Sequence, residues 1–112
     1  MIDWAQVRQL QEDVGADEMD EVVELFLDEV DEVMENLATG YEAMAPNDRS
    51  AAFHLLKGCA SNLGFKTFAD QCSQGEDVTK AGNEPDFKVA DLVQVYASSK
   101  ASFMANKVSQ LG

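Results

Sequence analysis

The sequence predicts an all-α fold, an antiparallel four-helix bundle with a short N-terminal capping helix. Three observations support this prediction. Apolar residues recur every three or four positions over helix-length stretches, no stretch alternates as a half-buried strand does, and both prolines lie in short polar segments. We expect a single domain over residues 1–112, because a chain of 112 residues can bury a core of its own.

The first two helices are predicted from their apolar spacing. The first covers about residues 3–14, with Asp3 as the N-cap whose side chain bonds a free N–H group of the first turn. The second follows one apolar stripe over residues 19–44, about seven helical turns. Its other face is acidic, since 12 of the 21 acids lie in residues 12–35, and we interpret it as a solvated face.

Three further helices follow, separated by the polar segments and by a glycine. They are predicted over about residues 48–63, 67–81 and 85–109, with Asn47 or Asp48 capping the third and Pro85 or Asp86 beginning the fifth. The two cysteines, Cys59 and Cys72, form no metal-binding C-x-x-C pair, and we interpret them as reduced core residues.

The charge of the chain excludes several classes of function. Acids outnumber Lys and Arg 21 to 8, a net charge of −13, whereas binding to nucleic acid or to an anionic membrane requires clustered basic residues. No apolar run approaches the ~20 residues of a membrane span, and the first residues do not resemble a secretory signal. Gly-rich nucleotide-binding motifs are absent. We expect a cytoplasmic monomer without nucleic-acid or membrane partners.

His54 is the only histidine of the chain, so any imidazole chemistry must use it. At about 100° per residue, the apolar residues of the third helix lie on the arc opposite His54, which therefore points away from the core. Small residues surround it, among them Ser50, Gly58 and Ser61. Lys57 lies at its shoulder and can place a cation near a dianion held on the imidazole.

Gly58 and the local charge pattern suggest what the histidine does. Gly58 follows His54 by one turn, where a side chain would normally cover the imidazole. A glycine inside a helix costs about 1 kcal/mol relative to alanine, and two explanations stand: access for a partner, or a glycine that packs against a neighbour or is merely tolerated in the helix. Residues 49–69 contain no acid, although 21 of the 112 residues are acids. Carboxylates there would repel a phosphate donor and a dianionic product, so the pattern favours a phosphoryl acceptor.

The segment from His54 to Gly64, HLLKGCASNLG, resembles the H-x-L-K-G-x-x-x-x-x-G signature of histidine-containing phosphotransfer (HPt) domains. Further resemblances lie at Phe68, Cys72 and Glu76 in the next helix and at residues 25–29 in the second helix. The resemblance covers about residues 20–85. Gly75 departs from it, since the family usually has a large apolar residue just before the glutamate, and we expect weaker packing of the fourth helix there.

The resemblance implies a phosphorelay function. An HPt domain accepts a phosphoryl group from the aspartate of a response-regulator receiver domain and passes it to another receiver. It has no kinase activity, binds no nucleotide and needs no cofactor, because the Mg²⁺ belongs to the receiver domain. Receiver domains and a hybrid sensor kinase are the expected partners. Carried over by position, His54 is the phosphoacceptor, Lys57 a charge neighbour, Gly58 the clearance residue and Gly64 the glycine of the turn.

The expected chemistry is alignment together with charge stabilisation. Nε2 of His54 attacks the phosphorus in line, while Nδ1–H faces an acceptor that the sequence does not identify. Four residues are predicted to form the docking surface for the partner: Ser50, Leu55, Ser61 and Phe65. Leu55 lies at the border between the core and the exposed face, so a partly buried packing role stays open for it.

Three alternatives are weighed against this interpretation. An acidic helical docking or adaptor module would bind a signalling partner without phosphotransfer and leave His54 as an incidental surface residue. A sensor-kinase dimerisation domain usually has an acid after its histidine, whereas Leu55 follows here and no ATP-binding domain is present. A carboxylate metal site within the bundle lacks the Glu-x-x-His motif, so no metal is expected.

Overall fold

The fold is all-α, as the sequence predicts. The computed structural model describes residues 2–111, and within this range it contains five α-helices, one 3-10 turn and no β-strand. The helices are α1 Trp4–Val14, α2 Met19–Gly40, α3 Pro46–Asn62, α4 Lys66–Lys80 and α5 Val89–Leu111, and the 3-10 turn is Tyr41–Ala43. None of the described helices combines the length and the apolar character that crossing a membrane requires.

The prediction that α2 continues to residue 44 is wrong. The helix ends at Gly40 after 22 residues, about six turns, and the 3-10 turn Tyr41–Ala43 follows it. The apolar stripe continues beyond Gly40 because Tyr41 and Met44 still pack against the core. The helix nevertheless ends at Gly40, a poor helix former whose φ of −132° and ψ of 7° lie outside the helical region.

The start of α3 also differs from the prediction. Its first residue is Pro46, and the N-cap is Ala45 in extended conformation with ψ 154°, rather than Asn47 or Asp48. A proline suits the first helical position because its fixed φ matches the helix and its missing N–H needs no partner there. Asn47 and Asp48 therefore lie inside the first turn.

The fifth helix begins later than predicted, at Val89 rather than at Pro85 or Asp86, and ends at Leu111 rather than near residue 109. Residues 83–88 form a loop instead. The carboxylate of Asp91 accepts the backbone N–H of Lys88 at 3.2 Å, so a first-turn side chain bonds the N–H just before the helix.

Four helices close around one core. α2 packs against α3, α3 against α4, α4 against α5, and α5 returns to α2. Contacts between α2 and α5 run in opposite order along the two helices: Asp31 accepts the Tyr96 hydroxyl at 2.6 Å, and Asp20 pairs with Lys107 at 3.3 Å. The α3–α4 pair is likewise a hairpin, whose turn is only Leu63–Phe65.

The short helix α1 covers one end of this bundle. Asp3 is its N-cap, as predicted, and its carboxylate accepts the Gln6 N–H at 3.3 Å. The indole of Trp4 stacks on the ring of Phe103, with ring centroids 5.5 Å apart. Val7 is fully buried. The first helix is therefore part of the core as well as its cap.

Gly64 joins this N-terminal segment to the α3–α4 turn. Its carbonyl accepts the Asp3 N–H at 2.7 Å. Its φ is +72°, and a Cβ there would lie 2.5 Å from the Asp3 carbonyl oxygen and 2.8 Å from Cγ2 of Val7. Only glycine fits, for its backbone conformation and for the space around it.

Candidate functional site

The imidazole of His54 projects from the middle of α3 into solvent. Its side chain is 69% exposed, while the preceding residue, Phe53, is fully buried. The helix thus turns one face into the core and presents the histidine on the other, as the spacing of apolar residues predicts.

The acceptor that the sequence left unidentified is Glu76, on α4. Nδ1 of His54 lies 2.8 Å from Oε2 of Glu76. A carboxylate only accepts, so Nδ1 carries the proton and donates it. The lone pair is then on Nε2, which has no hydrogen-bond partner among residues 2–111. One ring nitrogen is held and the other is free to react with a partner.

Lys57 completes the cluster by binding the other oxygen of the same carboxylate. Its Nζ lies 2.9 Å from Oε1 of Glu76, and its side chain is 36% exposed. The ammonium of Lys57 holds the pKa of Glu76 below its usual range, with a further contribution from the hydrogen bond to His54. The hydrogen bond to Glu76 in turn raises the pKa of Lys57. Both groups are therefore charged near neutral pH, and Glu76 bridges the lysine and the histidine.

Gly58 is an open position on the surface beside the imidazole. A Cβ at this residue would meet nothing within 4 Å beyond its own helical turn. No neighbouring side chain or helix needs the absence of a side chain, so the structure contradicts the explanation of Gly58 as a packing glycine. Access to the imidazole agrees with this geometry, and so does a glycine that is merely tolerated in the helix.

Of the four predicted docking residues, three lie on the surface around the site. Leu55 is 40% exposed and Ser61 is exposed. Ser50 is partly buried, and its hydroxyl donates weakly, at 3.4 Å, to the backbone carbonyl of Glu76. These three side chains are available to a partner that approaches His54.

The prediction that Phe65 belongs to the docking surface is wrong, because its side chain is fully buried. Its ring packs 5.6 Å from that of Phe103 and 6.3 Å from that of Tyr96, centroid to centroid. At about 100° per residue, a continued α3 would bring Phe65 to within about 20° of His54. The positive φ of Gly64 reverses the chain there, so the helical step no longer applies.

Glu76 is the site residue that sequence reasoning missed as a partner of the histidine. The feature of the sequence that could have indicated Glu76 is the short connection between the third and fourth helices. Because the α3–α4 turn is only three residues long, residues at nearly equal distances on either side of Gly64 face each other. His54 and Glu76 are such a pair, and Glu76 is an acid at the edge of the buried face of α4.

The departure at Gly75 does not leave the expected gap in the packing of α4. Gly75 is buried, and the ring of Phe53 occupies the space in front of it, 3.0 Å from where a Cβ would lie. The large apolar group is therefore supplied by α3 instead of α4. The expectation of weaker packing at this position is wrong.

Neither a metal site nor a reactive thiol accompanies the histidine in the described part of the chain. Within residues 2–111, no group of three His, Cys, Asp or Glu side chains is placed to hold a metal ion. Cys59 and Cys72 are both free thiols buried in the core, as predicted. Burial raises the pKa of Cys72 to about 12.

Comparison with known proteins gives one match. The family model described as Hpt domain matches residues 21–97. No curated protein and no solved structure matches the sequence. The matched range contains the whole of α3 and α4, and with them His54, Lys57, Gly58 and Glu76.

Proposed function

The chain belongs to the Hpt domain family, and on that premise we propose that it relays a phosphoryl group between receiver-domain aspartates through Nε2 of His54. Hpt domains act in two-component signalling by histidine phosphotransfer, interact with response-regulator receiver domains and have no kinase activity of their own. The observation that supports the proposal most directly concerns the two ring nitrogens of His54: Nδ1 is hydrogen-bonded to Glu76, whereas Nε2 lies free on an exposed side chain.

The transfer step follows from this arrangement. The Nε2 lone pair attacks the phosphorus of an aspartyl phosphate, so that an N–P bond forms while the P–O bond breaks and the aspartate leaves as a carboxylate. The ring of His54 becomes a phosphoimidazolium whose positive charge lies 2.8 Å from the Glu76 carboxylate at Nδ1. In the reverse direction the imidazole is the leaving group, and a second receiver aspartate takes the phosphoryl group.

Lys57 and Gly58 serve the same step in different ways. The Lys57 ammonium is bound to Glu76 before transfer, and its exposed end can also reach an anion on the outer side of the ring. A phosphoryl group on His54 then competes with Glu76 for this cation. Gly58 leaves the approach to the ring open for the active site of a receiver domain.

The remaining groups of the reaction belong to the partner in this proposal. The receiver domain supplies the aspartate and the Mg²⁺, and this chain contributes no cofactor and no metal site. Ser50, Leu55 and Ser61 contact the receiver around His54. A monomer in the cytoplasm, acting with receiver domains and a hybrid sensor kinase, is the setting that we propose.

Phosphoryl acceptance from a panel of receiver domains tests the proposal. Each receiver is phosphorylated, mixed with the protein and Mg²⁺, and the intact mass of the protein is measured beside a His54→Gln variant. We expect a gain of one phosphoryl group that is stable in alkali, lost in acid and absent from the variant. NMR of the phosphorylated protein then shows whether Nε2 carries the phosphorus. Addition of a fresh receiver must remove the group again if the protein is a relay.

A negative result has a defined meaning in the same experiment. Binding to a receiver without any gain of mass would refute the relay and support the acidic docking module instead. A mass gain that persists in His54→Gln would place the phosphoryl group elsewhere in the chain. A phosphoryl group on Nδ1 would contradict the role given to Glu76.

A further inference from the structure

We propose that Phe53 and Gly75 are a positioning pair, which sets the spacing of α3 and α4 so that the Glu76 carboxylate meets Nδ1 of His54. The two residues lie directly before the two members of this hydrogen bond. The inference deepens the proposed function and rests on it, since it explains how the reactive state of His54 is maintained. It concerns the position at which this chain departs from the pattern of its family.

The ring and the glycine are in the closest contact that the two helices allow. A Cβ added at Gly75 would lie 3.0 Å from three atoms of the Phe53 ring, Cγ, Cδ1 and Cε1, whereas ordinary contacts of a Cβ begin near 3.4 Å. The α4 backbone therefore rests on the face of the ring. Any side chain at residue 75 must push either the ring or the helix away.

The ring of Phe53 is buried between two other aromatic rings. It is fully buried, and it packs edgewise against Tyr41 at 6.4 Å and against Phe87 at 5.9 Å between ring centroids. Tyr41 belongs to the 3-10 turn and Phe87 to the loop before α5, so the ring is held from two further parts of the chain. In this proposal the two contacts hold the ring, so added volume at Gly75 displaces α4 rather than moving the ring into the cavity of about 580 Å³ that Phe53 lines.

A displacement of a few tenths of an ångström is enough to matter at the neighbouring hydrogen bond. The His54–Glu76 contact is 2.8 Å long, and such bonds weaken beyond about 3.2 Å. The imidazole has a short side chain with little reach, and the ion pair with Lys57 restrains the Glu76 carboxylate from turning back toward it. Lys57 has a long, flexible side chain, so its ion pair with Glu76 survives the same displacement. The contact between Phe53 and Gly75 therefore controls which ring nitrogen of His54 carries the proton. It leaves the net charge of His54, Lys57 and Glu76 unchanged.

The single histidine of the chain makes this directly measurable. With ¹⁵N-labelled histidine, the two ring nitrogens report which of them carries the proton at a pH where the imidazole is neutral. We expect Gly75→Ala to lower the fraction of the Nδ1–H tautomer and to slow phosphoryl acceptance several-fold, with little change in the urea midpoint. The matched control is Gly40→Ala, because a Cβ at Gly40 would meet nothing within 4 Å. It should leave both the tautomer and the rate unchanged.

The double variant Phe53→Leu/Gly75→Ala supplies the rescue. Leucine removes the ring face from the contact, so the Nδ1–H fraction and the rate should return toward those of the unmodified protein. An unchanged tautomer in Gly75→Ala, or no recovery in the double variant, would overturn the positioning role. If Gly75→Ala does not fold, the double variant is compared with Phe53→Leu alone, and a lower Nδ1–H fraction in the double variant overturns the proposal.

The tautomer measurement needs no receiver domain. If the unmodified protein accepts no phosphoryl group from any receiver, the proposed function fails, while the NMR comparison still decides whether Phe53 and Gly75 position Glu76. The two failures are therefore distinguishable.

Discussion

Replacing Gly64 by alanine would test how strongly the α3–α4 turn and the N-terminal segment depend on each other. Gly64 and Gly82 occupy equivalent turns: the residue after each glycine donates its N–H five residues back, Phe65 to Ala60 and Asn83 to Val78. Both glycines have positive φ, +72° and +82°. Only Gly64 is crowded, since a Cβ at Gly82 would meet nothing within 4 Å.

The two substitutions therefore share one cost and differ in another. Placing alanine in the left-handed region costs about 1–2 kcal/mol at either position. At Gly64 the new methyl also lies 2.5 Å from the Asp3 carbonyl oxygen, about 0.9 Å inside ordinary contact, so the N-terminal segment must move away. This movement breaks the 2.7 Å bond from the Asp3 N–H, worth about 1 kcal/mol, and loosens Val7. We expect Gly64→Ala to lower the free energy of unfolding by about 2–4 kcal/mol in total.

Urea unfolding followed by circular dichroism measures both variants. At about 4 °C per kcal/mol for a domain of this size, Gly64→Ala should also lower the Tm by about 8–16 °C. Gly82→Ala should lose only the stability that placing alanine in the left-handed region costs, about 1–2 kcal/mol. Equal losses for the two variants would show that the contact between Gly64 and Asp3 contributes nothing, and would refute the reasoning from the crowded Cβ.

Four further predictions concern the site, the loop before α5 and the core. Glu76→Gln should slow phosphoryl acceptance about tenfold, because the phosphoimidazolium loses its charged partner at Nδ1, and rapid-quench kinetics showing an unchanged rate would remove Glu76 from the mechanism. The ammonium of Lys57 lowers the pKa of Glu76, so in Lys57→Met the titration of the Glu76 carboxyl group, followed by ¹³C NMR, should move to higher pH, and an unmoved titration would contradict the ion pair. Arg49, whose side chain is 11% exposed, donates to the Tyr41 carbonyl at 3.0 Å, lies 4.0 Å over the Tyr41 ring and pairs with Glu84 at 2.8 Å. Arg49→Met should therefore lower the free energy of unfolding in urea by about 2 kcal/mol, and a change near zero would show that these contacts together contribute nothing. Since burial raises the pKa of Cys72 to about 12, its thiol should resist alkylation at mildly alkaline pH until the protein unfolds, and prompt alkylation of the folded protein would contradict its burial.

The positions of the helices followed from local information, and so did the exposure of the histidine. Apolar spacing along α3 places Phe53 and His54 on opposite sides of the helix. In the structure Phe53 is 0% exposed, and the side chain of His54 is 69% exposed. Errors occurred where local rules compete. Around Pro46 the apolar stripe and the proline favour different boundaries, and at Phe65 the helical step was extended through a turn that ends it.

The residues of the candidate site on α3 were predictable from the sequence, but the residue that α4 contributes was not. His54, Lys57 and Gly58 lie within one and a half turns of a single helix, so a helical wheel places them together. Glu76 lies on another helix, and its role depends on the register of two helices across a turn. The burial of Gly75 against Phe53 is likewise a contact between these two helices.

By itself the sequence determined the all-α class, the exposed histidine and the acid-free surroundings, because each follows from backbone propensity, periodicity or charge within a short stretch of chain. Only the tertiary structure decided which atom holds Nδ1, where the Lys57 ammonium lies and why residue 75 is a glycine. These depend on distances between helices, which side-chain packing sets to a few tenths of an ångström and which no local pattern contains.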